Sequence, residues 1–146
     1  MSAAVDICYA RLDTEEGRER YAYNDATSKR VTCQPGGNLS IAVGVNLEVG
    51  LDDEEIDWLS KHRLTKRENE LLGYAWYRAC DPVRQSVLLD IAFNQGTGGL
   101  LHYPLMIAAV SRMDWEGAAA QCHVADPKLD ASRYAPLRRL LATGAQ

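Results

Sequence analysis

No apolar run in this sequence approaches the ~20 residues that a membrane-spanning helix requires. The opening Met1-Ser2-Ala3-Ala4-Val5-Asp6 lacks the basic start and apolar core of a secretory signal. The expectation is a soluble chain, not inserted in a membrane and not self-exporting. Positive charge is also short: 16 Lys and Arg face 20 Asp and Glu, a formal net charge of -4. That argues against a nucleic-acid binder, which draws its affinity from clustered Lys and Arg. The four cysteines, Cys8, Cys33, Cys80 and Cys122, form no CxxC pair, so a zinc site is not expected, nor any other metal or cofactor. Free, mostly buried thiols are expected, with one or two disulfides open if the protein acts outside a cytoplasm. His62, His102 and His123 stand apart and read as ordinary polar or helix-end residues. The run Gly96-Thr97-Gly98-Gly99 follows a helix instead of opening one, which argues against a phosphate loop. Internal repeats and low-complexity segments are absent.

What is present is enough for one compact domain: 146 residues can bury roughly two thirds of their unfolded surface. Val5, Cys8, Tyr9 and Leu12 recur at helical spacing, which predicts a helix from about Ala3 to Glu16, ended by Gly17. Arg20 to Asp25 alternates as a half-buried strand, Arg30 to Cys33 reads as a second, and Leu39 to Leu47 as a third. Together they predict a small antiparallel sheet. After Gly50 the pattern is helical. Asp52 or Asp53 caps a helix to about Arg63, and the acidic run Asp52-Asp53-Glu54-Glu55 reads as its start. Thr65-Lys66-Arg67-Glu68 reads as a capping box opening another helix to about Cys80. Asp81-Pro82 opens the most apolar helix, to about Asn94, with Val83, Val87, Leu88, Ile91 and Ala92 as its buried stripe. Further helices start at Pro104 and after Asp114, and Pro136 opens a last one ending near Gly144. Trp58, Trp76 and Trp115 read as core aromatics. The fold class is α+β: a β-containing lobe over about 17–50, and a helical lobe over about 51–146 joined by the N-terminal helix 3–16.

Glu16, on the last turn of the first helix, and Asp25, at a strand end nine residues later, form a candidate acid/base pair. The carbonyl end of a helix and partial burial both keep a carboxyl protonated, as a proton donor needs. Glycoside hydrolysis uses one such acid and one ionised carboxylate, ~6.5–9.5 Å apart in inverting enzymes. Spacing alone is weak support for this, since separated acids occur in most soluble domains.

The order of motifs adds to it. Glu16-Gly17, Tyr23, Asp25, Ser40-Ile41-Ala42-Val43-Gly44, Phe93-Asn94-Gln95-Gly96 and Trp115-Glu116-Gly117-Ala118-Ala119 together resemble the phage muramidase family typified by T-even phage lysozyme. The resemblance spans most of the chain and implies a lysozyme-like fold. It also implies hydrolysis of the β-1,4 bond between N-acetylmuramic acid and N-acetylglucosamine in bacterial peptidoglycan, with inversion. By that resemblance Glu16 is the general acid, Asp25 activates or positions water, and the Ser40 hydroxyl holds that water. Gly44, Phe93, Asn94 and Gln121 line the sugar cleft. Arg133, with Arg138 as its rival, pairs with the acid. No metal or cofactor is implied.

The chain departs from that family in several places. Ser40 stands for Thr, Ala42 for a usual Gly and Val45 for a frequent His, and the loop from Ala26 to Asn38 is longer than in compact members. Glu15 and Glu19, beside the proposed acid, are expected to face solvent. The resemblance places the protein in a phage lytic role, in the host cytoplasm until a holin-type lesion releases it to the wall, or as part of a larger virion protein. Lytic transglycosylation, cleavage of a chitin-like polymer and a non-catalytic wall-binding module are the alternatives.

Overall fold

The computed structural model describes residues 1–15, 18–24, 26–27, 29–32, 37, 39–43 and 45–145. Glu16, Asp25 and Gly44 of the proposed site, and Cys33, therefore lie outside the described residues.

Helix α1, Ala3–Glu15, buries Ala4, Val5, Cys8 and Leu12 along one face. Two hairpins follow. In the first, β1 (Tyr23–Asn24) pairs antiparallel with β2 (Lys29–Arg30), Tyr23 opposite Arg30. In the second, β3 (Ser40–Ile41) pairs with β4 (Val45–Asn46), Ser40 opposite Asn46. The expected third strand is thus split into two arms of a hairpin. Ala42 turns the chain with φ 52°, a left-handed conformation that a non-glycine residue adopts at a cost of about 1 kcal/mol. The expected single sheet is two separate two-stranded ladders among the described residues.

Helix α2, Asp53–Leu71, is one continuous rod of 19 residues. The capping box is formed at its start: Asp52 accepts from the Glu55 amide at 2.8 Å, and Glu55 accepts from the Asp52 amide at 2.9 Å. The box expected at Thr65 does not form, because the Thr65 hydroxyl donates to the Lys61 carbonyl four residues back at 2.8 Å. A threonine satisfied in this way lets a helix run on, and the fully buried Leu64 and Leu71 hold this one against the core. A short α3, Ala75–Arg78, replaces the second half of the expected helix.

Helix α4, Pro82–Leu101, is the centre of the molecule, packed by α1, α2, α3 and the C-terminal helix. Asp81 caps it by accepting from the Arg84 amide at 3.0 Å. From Ser86 to Ala92 every residue is buried, as expected of a helix surrounded on all sides. Gly96 sits inside it at φ 77° and ψ 162°, a backbone that only glycine adopts without strain, and kinks it. Helices α5 (Pro104–Ser111), α6 (Trp115–Ala120), α7 (Pro127–Leu129), a π-helical turn Asp130–Tyr134 and α8 (Ala135–Thr143) close the core. The molecule is α+β, predominantly helical with small antiparallel ladders.

The end of α8 is fastened by Arg84, which donates to the carbonyls of Leu141 and Ala142, each at 2.8 Å, while its guanidinium lies over the Trp115 ring. These are carbonyls that a helix end leaves without intrahelical partners. Gly144 ends the helix at φ 65°, and a Cβ there would strike the Arg84 guanidinium. Arg84→Ala is expected to cost about 2 kcal/mol, from two charge-assisted bonds in a half-buried setting. In urea denaturation the midpoint should fall with no change in slope.

Cys8, Cys80 and Cys122 are free and buried. Burial pushes the thiols of Cys8 and Cys122 up to about 12 and that of Cys80 up to about 11. Trp76 and Trp115 pack against the core as expected. Trp58 does not: it is 64% exposed and stacks on His62, with ring centroids 4.9 Å apart.

Candidate functional site

The most concentrated buried charge in the described structure lies on α4. Asp90 is 0% exposed in an otherwise apolar stretch. One oxygen accepts from Arg11 Nε at 3.0 Å and Nη2 at 2.9 Å, a two-pronged pair reaching from α1. The other accepts from Arg133 Nη2 at 2.9 Å, in the π-helical turn. The Asn94 amide, one turn along α4, donates to the Asp90 carbonyl at 2.9 Å and to its carboxylate at 3.0 Å. Arg11 also donates to the Ser86 carbonyl at 3.0 Å. Four lone-pair directions of one carboxylate are thus met by four donors. The cluster holds together the last turns of α1, the second half of α4 and the turn that leads into α8.

The chain on either side of Glu16 and Gly17 is held as well. Glu15 closes α1. Arg18 donates to Asp13 at 2.6 Å, to Asp57 at 2.7 Å and to the Tyr9 hydroxyl at 2.9 Å. Tyr9 in turn donates to Asp57 at 2.6 Å. Arg18 therefore ties the segment after α1 to both α1 and α2. Hydrogen bonding by Tyr9, then by Arg18, holds the Asp57 carboxyl below its ordinary range. Hydrogen bonding from Thr97, then Arg67, lowers that of Glu70, and Arg138 lowers that of Asp130.

A depressed carboxyl contributes stability above its unfolded value of about 4 and loses it as pH falls toward its folded value. The melting temperature is therefore expected to be flat from about pH 7 to about pH 5 and to fall below about pH 4. Arg18→Ala should make that fall shallower, which thermal melts across a pH series will read. An identical slope in the variant would show that Asp57 gains nothing from Arg18.

Of the residues named from sequence, Arg133 and Asn94 meet at Asp90. Phe93, beside Asn94, is half-buried and lines a pocket of about 110 Å³ with Tyr9, Leu12, Asp13, Ile56, Ser60 and Leu64, between α1 and α2. Ser40 is exposed on β3. Gln121 lines a different groove, with Leu105, Ala108, Arg112 and Gly117 on α5 and α6, apart from Phe93 and Asn94. The rival Arg138 is engaged elsewhere, donating to Asp130 at 2.7 Å and to the Cys122 carbonyl at 3.0 Å. Glu15 and Glu19 are exposed, as expected.

Arg11 and Asp90 were not singled out by sequence. The signal was there: Ser86, Asp90 and Asn94, four residues apart, draw a polar seam down the central helix, and polar groups buried along it, as Ser86 and Asp90 are, need partners. No protein-family model matches the chain, and no curated protein matches it.

Proposed function

We propose that this protein is a peptidoglycan N-acetylmuramidase of lysozyme-like fold, acting in phage lysis or wall penetration. Glu16 is its general acid, Asp25 activates water, Ser40 orients that water, and Arg133 is the cation serving the acid. The observation that carries the reading is the Asp90 cluster. It ties the last turns of α1, the Phe93-Asn94 segment of α4 and Arg133, three places that the motif order groups at one site. The exclusive engagement of Arg138 with Asp130 and Cys122 among the described residues favours Arg133 as that cation. The α+β arrangement, with short antiparallel ladders between α1 and a helical remainder, supports it further.

α1 carries Asp13 and Glu15 in its last turn and no cation there. In general, the carbonyl end of a helix favours the protonated form of a carboxyl that follows it. That is the state required to donate a proton to the leaving glycosidic oxygen.

The test is digestion of purified sacculi with mass spectrometry of the soluble products. Hydrolysis leaves a reducing N-acetylmuramic acid end. An anhydro end would replace the reading with lytic transglycosylation, and absence of released sugars would end the enzymatic assignment.

A further inference from the structure

The charge on the last turn of α2 runs against the helix dipole. Acids occupy its first turn, as the dipole favours, but its last turn holds no cation and instead carries Glu68 and Glu70. Its cations, Lys61, Arg63, Lys66 and Arg67, sit in the middle. Lys61 is placed over the Tyr9 ring. Arg67 is paired with Glu70 at 2.6 Å, and Glu70 also accepts from Thr97 at 2.6 Å, so the acid in this region is already satisfied. Arg63 and Lys66 are exposed and form no salt bridge or hydrogen bond with the described residues. Both face a groove of about 320 Å³ whose other walls are Arg67, Glu70 and Phe93. The two cations stand beside an aromatic wall with no ion pair among the described residues, Lys66 acting on Glu70 only through space.

We infer that the groove formed by Arg63, Lys66 and Phe93 binds an anionic substituent carried on the cell-wall glycan, a carboxylate or a phosphodiester. The inference rests on the cell-wall reading above for the glycan, and on the groove alone for the anion. The size of the patch sets the kind of anion. From Lys61 to Arg67 the helix rises about 9 Å, and the acids Asp53 to Asp57 begin one turn further on. An extended polyanion such as a nucleic acid, which makes several phosphate contacts at once, would run into that acidic half. A single charged side group fits between. Phe93 also lines the pocket beside α1, so a glycan passing the proposed site brings its side groups within reach of these cations.

Co-sedimentation with sacculi tests this, using Glu16→Gln so that the sacculi stay whole. Three preparations are compared: sacculi bearing stem peptides only, sacculi also bearing phosphodiester polymers, and glycan strands stripped of both and coupled to beads so that they sediment. The variant Arg63→Ala/Lys66→Ala is expected to weaken binding to the charged preparations roughly tenfold, since two exposed charge contacts are lost. The control Lys128→Ala, an exposed cation far along the chain, should leave binding unchanged. Loss of binding on removal of stem peptides assigns the anion to carboxylates, and loss only on removal of the polymers assigns it to phosphodiesters. Undiminished binding by the double variant, equal binding to stripped glycan, or an equal effect of Lys128→Ala would each overturn the inference. The two readings fail separately: wild type that leaves sacculi uncut refutes the muramidase while the binding comparison still reads the groove, and normal cutting with charge-blind binding refutes the groove alone.

Discussion

Asp90→Ala is expected to lower stability by about 3–5 kcal/mol, the range for removing one partner of a buried ion pair. The size follows from what remains. Arg11, with its side chain 12% exposed, loses both of its contacts to Asp90 and keeps, among the described residues, only neutral acceptors, the Ser86 carbonyl and hydroxyl and the Cys8 sulfur. Arg133 loses its bond to Asp90, and the Asn94 amide loses one of two acceptors. At roughly 3 °C per kcal/mol for a chain of this length, the melting temperature should drop by about 10–15 °C. Asp90→Asn keeps the shape but turns an amide NH2 toward a guanidinium, so it should lose most of the same amount. The cycle of Arg11→Ala, Asp90→Ala and the double variant separates charge pairing from packing. The double variant should be more stable than the sum of the singles allows, by at least about 1.5 kcal/mol. Strict additivity would mean that Arg11 and Asp90 do not depend on each other.

Most of the helical frame could be read in advance because its signals are local. Asp81-Pro82 marks a helix start through a side-chain acceptor and a residue with no amide hydrogen to lose, and α4 begins there. Pro104 and Asp114 open α5 and α6 for the same reasons, and Gly144 ends α8 in the left-handed conformation that glycine adopts freely. The errors came where two local signals compete. Thr65-Lys66-Arg67-Glu68 has the composition of a capping box, yet the Thr65 hydroxyl turns to the Lys61 carbonyl and tertiary burial of Leu64 and Leu71 carries α2 through. Leu39 to Leu47 has the β-branched content of a strand, and nothing in its composition reveals that Ala42 reverses the chain. Trp58 stands on the exposed side of α2 because the buried side is set by Ile56, Leu64, Glu68 and Leu71, a phase that the short apolar stretch around Trp58 does not fix.

The candidate site was legible in part. Arg133 and Asn94 were named for an expected role in recognition, and the structure adds that both are bonded to a third residue, Asp90. A buried carboxylate of this kind escapes periodicity, since it occupies a core position without being apolar. What identifies it is the need for donors, and besides Asn94 one turn along, those came from α1 and from the π-helical turn, 79 and 43 residues away in sequence. Such partners are a property of the fold and not of any local stretch.

Glu16→Gln is expected to lower the rate of sacculus lysis by at least about a thousandfold, within the range that a general acid contributes. The amide keeps the size of the side chain and its capacity for hydrogen bonding but has no acidic proton for the leaving oxygen. The buried face of α1, made by Ala4, Val5, Cys8 and Leu12, is untouched, so the melting temperature should stay within about 2 °C of wild type. Asp25→Asn should cost a similar factor if that carboxylate activates water. Glu15→Gln and Glu19→Gln act as controls on register: both residues are exposed, and neither substitution should change the rate more than about twofold, as expected of exposed side chains outside the chemistry. Turbidity loss of sacculi, read alongside thermal melts, measures all four. If Glu15→Gln abolishes lysis and Glu16→Gln does not, the acid has been placed one residue too late. If all four variants lyse sacculi as wild type does, no carboxyl in this segment donates the proton, and the cluster around Asp90 is structural only.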